Sequence, residues 1–187
     1  MSSPNAIFIS YRRSDSEDIT GRIYDRLRAH FAQELIFRDL DSIPLGDNFQ
    51  EVLQQSVNSS QVVIAVIGPT WLEVLKQRLQ SPNVDWVRVE IARALERQEI
   101  PVIPLLVGRA NMPGADELPD DLKGLNPRNA ATARPDPDFH HDVDRLIKRL
   151  EEILGKPQAA DEPLVETRVL STLDQMKLNA LENRKAI

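Results

Sequence analysis

The chain contains no cysteine, and that absence removes disulfides, thiolate zinc sites and cysteine nucleophiles together. Histidine is nearly as scarce. Only His30, His140 and His141 could offer imidazole, and the adjacent pair projects to different sides of a helix start, so no metal site is expected. The seven glycines never cluster into G-x-G-x-x-G or a Walker loop, which excludes the usual phosphate cradles. A G-x-S-x-G elbow is missing too, so nothing supports a Ser-His-Asp hydrolase. No apolar stretch approaches the roughly 20 residues of a membrane helix. The opening Met1-Ser2-Ser3-Pro4-Asn5 lacks the charged and apolar regions of a secretion signal, so a cytoplasmic protein with no membrane contact is expected. There is no basic run, and a net charge of -6 with a pI near 5.1 argues against direct binding of nucleic acid, which needs clustered Lys and Arg.

What is present alternates in character along the chain. Ala6-Ile7-Phe8-Ile9-Ser10 is a continuous apolar run, suited to a buried parallel strand, and it stops at Tyr11-Arg12-Arg13. Asp18 is the expected cap of the next helix, in which Ile19, Ile23, Leu27 and Phe31 recur every fourth residue on one face. A second strand is expected at Leu35-Ile36-Phe37. A polar loop from Arg38 to Gly46 follows, and from Asp47 a helix in which Phe49, Val52, Leu53, Ser56 and Val57 make an apolar stripe. Val62 to Ile67 is β-branched with no polar alternate, hence central in the sheet, and Gly68-Pro69 stops it. A short helix is expected between Thr70 and Gln80. Ile100 to Val107 reads as a strand whose two prolines cost ladder bonds, so it is expected near an edge or only partly paired. Between Gly108 and Pro137 the chain is loop-rich, with at most a short strand around Asn129 to Ala133. A helix from Asp138 to Leu154, ended by Gly155 and Pro157, closes the domain.

Strands alternating with helices imply right-handed βαβ units, and hence a flavodoxin-like α/β fold: an open parallel sheet of about five strands with helices on both faces. Such folds bind ligands at the carboxyl ends of the strands, where strand order reverses. The domain is expected to span residues 1–155. Residues 156–187 read as a Pro-, Ala- and acid-rich linker followed by an amphipathic helix carrying Val169, Leu170, Leu173, Met176, Ala180 and Leu181. A lone amphipathic helix cannot bury its stripe. It docks back on the domain, pairs with another copy or leads into a further domain or partner, and the residues do not choose among these.

One stretch organises the rest. In Ser81-Pro82-Asn83-Val84-Asp85-Trp86-Val87-Arg88-Val89-Glu90 a turn-forming loop enters a helix expected to run to about Glu99, with Asn83 and Asp85 as candidate caps. On a helical wheel Val87, Ile91, Ala94 and Leu95 form the buried stripe. Trp86 and Glu90 fall together on its flank, one turn apart. Taken alone, such a pair is usually a half-buried Trp beside a solvated Glu.

The context alters that reading. Ile7-Phe8-Ile9-Ser10-Tyr11-Arg12-Arg13, then Phe37-Arg38-Asp39 with a loop ending in Pro44-Leu45-Gly46, then Val62 to Pro69, then Asp85-Trp86-Val87 leading to Glu90, together resemble a Toll/interleukin-1 receptor (TIR) domain over roughly Ala6 to Leu154. The form W-V-x-x-E is similar to that of TIR domains that consume NAD, including bacterial defence proteins and the animal axon-degeneration enzyme. The resemblance implies that Glu90 is catalytic, that NAD+ is a substrate and not a resident cofactor, and that Tyr11, Arg12, Phe37 and Trp86 border the substrate. Whether Arg12 or Arg13 faces the cleft is left open. It further implies that the loop containing Arg38, Asp39, Asp41, Ile43, Pro44, Leu45 and Gly46 mediates TIR–TIR association into a homo-oligomer or filament.

The chemistry implied can be argued physically. Nicotinamide leaves NAD+ as a neutral base from a positively charged state, so its departure needs no general acid. The ribosyl oxocarbenium-like transition state does need help, and a carboxylate against the ribose supplies it, as in glycoside hydrolysis. An aromatic ring can stack on the substrate, and an arginine can pair with the pyrophosphate. Two other readings stay open beside a glycohydrolase or cyclase: an adaptor that works only by TIR–TIR assembly, and a deoxyribosyltransferase-like enzyme with a nucleophilic carboxylate.

Overall fold

The computed structural model describes residues 6–38 and 49–155. Five strands, β1 (Ile7–Ser10), β2 (Ile36–Arg38), β3 (Val62–Ile67), β4 (Val102–Val107) and β5 (Ala131–Ala133), form one sheet in the order β2-β1-β3-β4-β5. Every pairing is parallel. Among the described residues the α-helices are α1 (Arg13–Arg28), α2 (Phe49–Ser59), α3 (Trp71–Leu79), α4 (Trp86–Glu96) and α5 (Phe139–Leu154). This is the flavodoxin-like arrangement. Strand order reverses between β1 and β3, so their carboxyl ends make the switch point.

Alternation along the strands sorts the core into two layers. Ile7 and Ile9 face α1 and α5 together with Ile64, Val66, Leu105 and Val107, packing on Ile23, Leu27, Val143 and Leu150. Phe8 faces the other way with Val63, Ala65 and Ile67, against Trp71 and Leu75 of α3 and Ile91 and Ala94 of α4. All six residues of β3 are buried, as its unbroken apolar run predicts. β4 pairs along its length with β3 but meets β5 only from Leu105 onward. Pro104 therefore falls where one side of the strand is open and a missing N–H is tolerated.

The second strand sits one residue later than the expected Leu35-Ile36-Phe37, and β4 begins at Val102 instead of Ile100; two helix boundaries also differ from expectation. The first helix begins at Arg13, and Asp18 is exposed and caps nothing. Asp15 does the joining instead: its carboxylate accepts from the backbone N–H groups of Gly68 and Thr70 and from the Thr70 hydroxyl, each at 2.8 Å. Ser16 leaves helical geometry at φ −146, ψ 22, so the turn tied to the β3–α3 connection is kinked from the regular helix that the period-four pattern marks. A side chain on Gly68 would collide with the Asp15 carboxylate, which explains glycine there. α4 stops at Glu96, short of Glu99, because Arg97 turns to an extended conformation. The helix start expected at Asp47, the loop residues Asp39 to Gly46 and the segment 156–187 lie outside the described residues. No helix among the described residues is long and apolar enough to cross a membrane.

Candidate functional site

A cleft of about 350 Å³ opens beside the switch point. Its walls come from the exit of β1 (Tyr11, Arg12, Arg13), the outer turns of α3 (Val74, Arg78) and the start of α4 (Asp85, Trp86, Glu90). Two long-range contacts set the position of α4. Ser10, the last residue of β1, donates from Oγ to Glu90 Oε2 at 2.6 Å. Arg12, two residues on and so on the same side of the extended chain, forms a two-pronged ion pair with Asp85 at 2.9 and 2.6 Å. Asp85 is also the α4 cap, accepting from the Arg88 N–H at 3.5 Å.

These polar groups are largely shut off from water. Glu90 is 9% exposed, Arg12 5% and Ser10 1%. Glu90 is thus more enclosed than a residue on the flank of a helix, because the end of β1 closes over it. Trp86 is half-buried one turn earlier, and its ring borders the same cleft. The aromatic and carboxylate pair of α4 thus lines the same cleft as Tyr11.

The remaining expected residues divide. Arg12 lines the cleft, yet its guanidinium is held by Asp85 and lies 5.4 Å from the centre of the Trp71 ring. Arg13 is exposed and also lines the cleft, so both arginines reach it. Phe37 is 6% exposed and stacks on Phe8 at 5.3 Å, with ring planes 12° apart. Phe8 borders the cleft, and Phe37 meets it only through that stacked ring and is not itself in the lining. Arg38, where the expected assembly loop begins, lies over the Tyr24 ring of α1 at 4.5 Å. Among the described residues no cluster of His, Asp and Glu could hold a metal ion.

Sequence reasoning did not single out Ser10, the pairing role of Asp85, or Arg78. The alternation of Ser10 and Arg12 past the end of β1 was the available signal for the first two. A second hollow, about 590 Å³, lies between β4, β5 and α5 with Arg128, Arg145 and Arg149 on its walls, and it holds none of the expected site residues.

A parallel α/β domain with an acid-bearing cleft at its switch point defines a broad class of ligand-binding folds. The comparisons narrow it: the family model for the TIR domain matches residues 7–147, and the chain belongs to that family. Among solved structures it is similar to the TIR domains of the activated Roq1 resistosome directly recognizing the pathogen effector XopQ, with 13% identity and a TM-score of 0.61. That match covers 78% of this chain and 99% of the other. No curated protein matches the sequence.

Proposed function

We propose that this TIR domain cleaves the nicotinamide–ribose bond of NAD+, releasing nicotinamide and either ADP-ribose or a cyclic ADP-ribose isomer. What carries the reading is the buried carboxylate of Glu90, anchored by Ser10 on the wall of a cleft that also presents Trp86 and Tyr11. A fixed negative charge in a poorly hydrated wall is the environment that best stabilises a positive ribosyl centre. Trp86 offers a face for a planar ring, and Tyr11 lines the same cleft. The cationic side of the cleft, Arg13 and Arg78, suits the pyrophosphate. The protein acts in the cytoplasm, in bacterial immune or cell-death signalling, and is switched on by self-association through the loop from Arg38 to Gly46. The Roq1 TIR domains belong to an assembly by their description, which is in keeping with that last point.

The test is incubation of the purified chain, concentrated and with a crowding agent, with NAD+, following nicotinamide and the ADP-ribose products by chromatography. The wild type should release nicotinamide and Glu90→Gln should lose at least about 100-fold in rate while keeping its melting temperature. Equal release by both would remove Glu90 from the chemistry. Silence from the wild type, with no NAD+ binding, would favour the second reading, a non-catalytic adaptor acting by TIR–TIR assembly. The observation on that side is the Arg12–Asp85 pair, which occupies the guanidinium that the family motif assigns to the substrate.

A further inference from the structure

We propose that Ser10 is a positioning residue for Glu90: its hydroxyl fixes the carboxylate in the cleft and keeps it in its charged form without itself touching substrate. The inference rests on the glycohydrolase reading. Three observations carry it. The Oγ to Oε2 separation of 2.6 Å falls in the range of charge-assisted O–H···O⁻ bonds, which are shorter and stronger than neutral ones. Ser10 is 1% exposed and is not among the residues lining the cleft, whereas Glu90 is. The side chain is therefore behind the carboxylate and away from the ligand space. The third is the companion contact from Arg12 to Asp85, which pins the start of α4 to the same strand exit, so one short segment holds the helix at one point and its acid at another.

A glutamate has three side-chain torsions to fix, and burial removes the water that would otherwise solvate its charge. The Ser10 hydroxyl answers both needs, because a donor to the carboxylate bonds the charged form and disfavours the neutral one. Tyr11, Arg12, Arg13, Arg78 and Asp85 share the cleft and Arg93 follows Glu90 on α4. Removing the Ser10 hydroxyl alters none of them, so a change in the ionisation of Glu90 is assignable to the lost bond.

The experiment compares wild type, Ser10→Ala and Ser10→Thr as full chains. Ser10→Ala should lower kcat for nicotinamide release roughly ten- to hundredfold, the worth of a hydrogen bond to a charged group, with KM moved less than about twofold. The acidic limb of its kcat–pH profile should move to higher pH, since the carboxylate must be charged to act. Ser10→Thr, which keeps the hydroxyl, should recover most of the loss. A carbon-detected NMR titration of the Glu90 carboxyl in the same proteins reads the bond without turnover and should show titration at higher pH in Ser10→Ala. If the wild type cleaves no NAD+ while that titration still moves, the glycohydrolase reading fails and the hold of Ser10 on Glu90 stands. Where the wild type turns over, an unchanged kcat in Ser10→Ala overturns the proposal, and an unchanged titration overturns it in either case. Should Ser10→Ala not fold, Ser10→Cys, a weaker donor of similar size, carries the same comparison.

Discussion

Two arginine–carboxylate pairs, alike in chemistry, sit in opposite parts of the molecule and do different work. Arg12 and Asp85 are 73 residues apart in sequence, and both side chains are closed off from solvent, at 5% and 8% exposure. Arg134 and Asp142 are eight residues apart, and there the arginine is half in water while the aspartate is fully covered. The second pair is local: Arg134, just past β5, donates to Asp142 from Nε, from Nη2 and from its backbone N–H, and so ties the strand exit to the start of α5. The first pair joins the exit of β1 to the start of α4 across the candidate site. A partner that shares the burial makes a pair costly to break, whereas water can stand in for part of what a half-exposed arginine supplies.

Breaking the first pair should have the largest effect. Arg12→Met leaves the Asp85 carboxylate enclosed without its counter-charge, and losing one member of a buried pair costs about 3–5 kcal/mol. Urea unfolding should register this as a lower midpoint with the slope unchanged. The double variant Arg12→Met with Asp85→Leu should recover part of the loss, although α4 then lacks its cap, worth about 1 kcal/mol. A single variant as stable as wild type would mean that water reaches the pair after all.

A third carboxylate sharpens the contrast. Asp15 has no arginine; it holds the turn after β3 through two backbone N–H groups and a hydroxyl. Asp15→Ala should cost about 1–3 kcal/mol in the same urea assay, less than loss of Arg12, because part of this site is open to water that can replace the lost acceptor. Gly68→Ala should act at the same joint from the other side by pushing a methyl group into the carboxylate. If Asp15→Ala is neutral, the kinked first turn of α1 does not depend on that joint.

How far these features could be read in advance follows from where their partners lie. The strand Val62 to Ile67 was legible to the residue, since a central parallel strand must be apolar on both faces. The extent of α5 and the short β5 were legible for similar local reasons. The start of α1 was not, because Asp15 takes its role from Gly68 and Thr70, more than fifty residues away. Likewise the motif placed Arg12 at the cleft, but only the folded chain brings Asp85 to it. Phe37 reads as a cleft residue from its motif, yet strand pairing sets it opposite Phe8 and the two rings stack. Trp86 and Glu90 were legible as a pair because helical spacing alone brings them together. Glu90's burial was not, since it depends on the end of another strand.

The smallest effect is expected from the second pair, and it is one of pH. The Arg134 side chain, helped by its backbone N–H, holds the Asp142 carboxyl down to about 2 against burial, which works the other way. A carboxyl with a depressed folded value stabilises the native state fully above its unfolded value near 3.9. That contribution is lost as pH falls through the folded value. Urea midpoints of the wild type should therefore fall between about pH 4 and pH 2, the window those two values define. Asp142→Asn, which cannot ionise, should start lower at pH 7 and show a shallower fall across the same window, while Arg134→Ala should shift the fall to higher pH. Identical slopes in wild type and Asp142→Asn would show that the acid sensitivity does not come from Asp142, and would leave the half-exposed pair as a contact that orders α5 without tuning its stability.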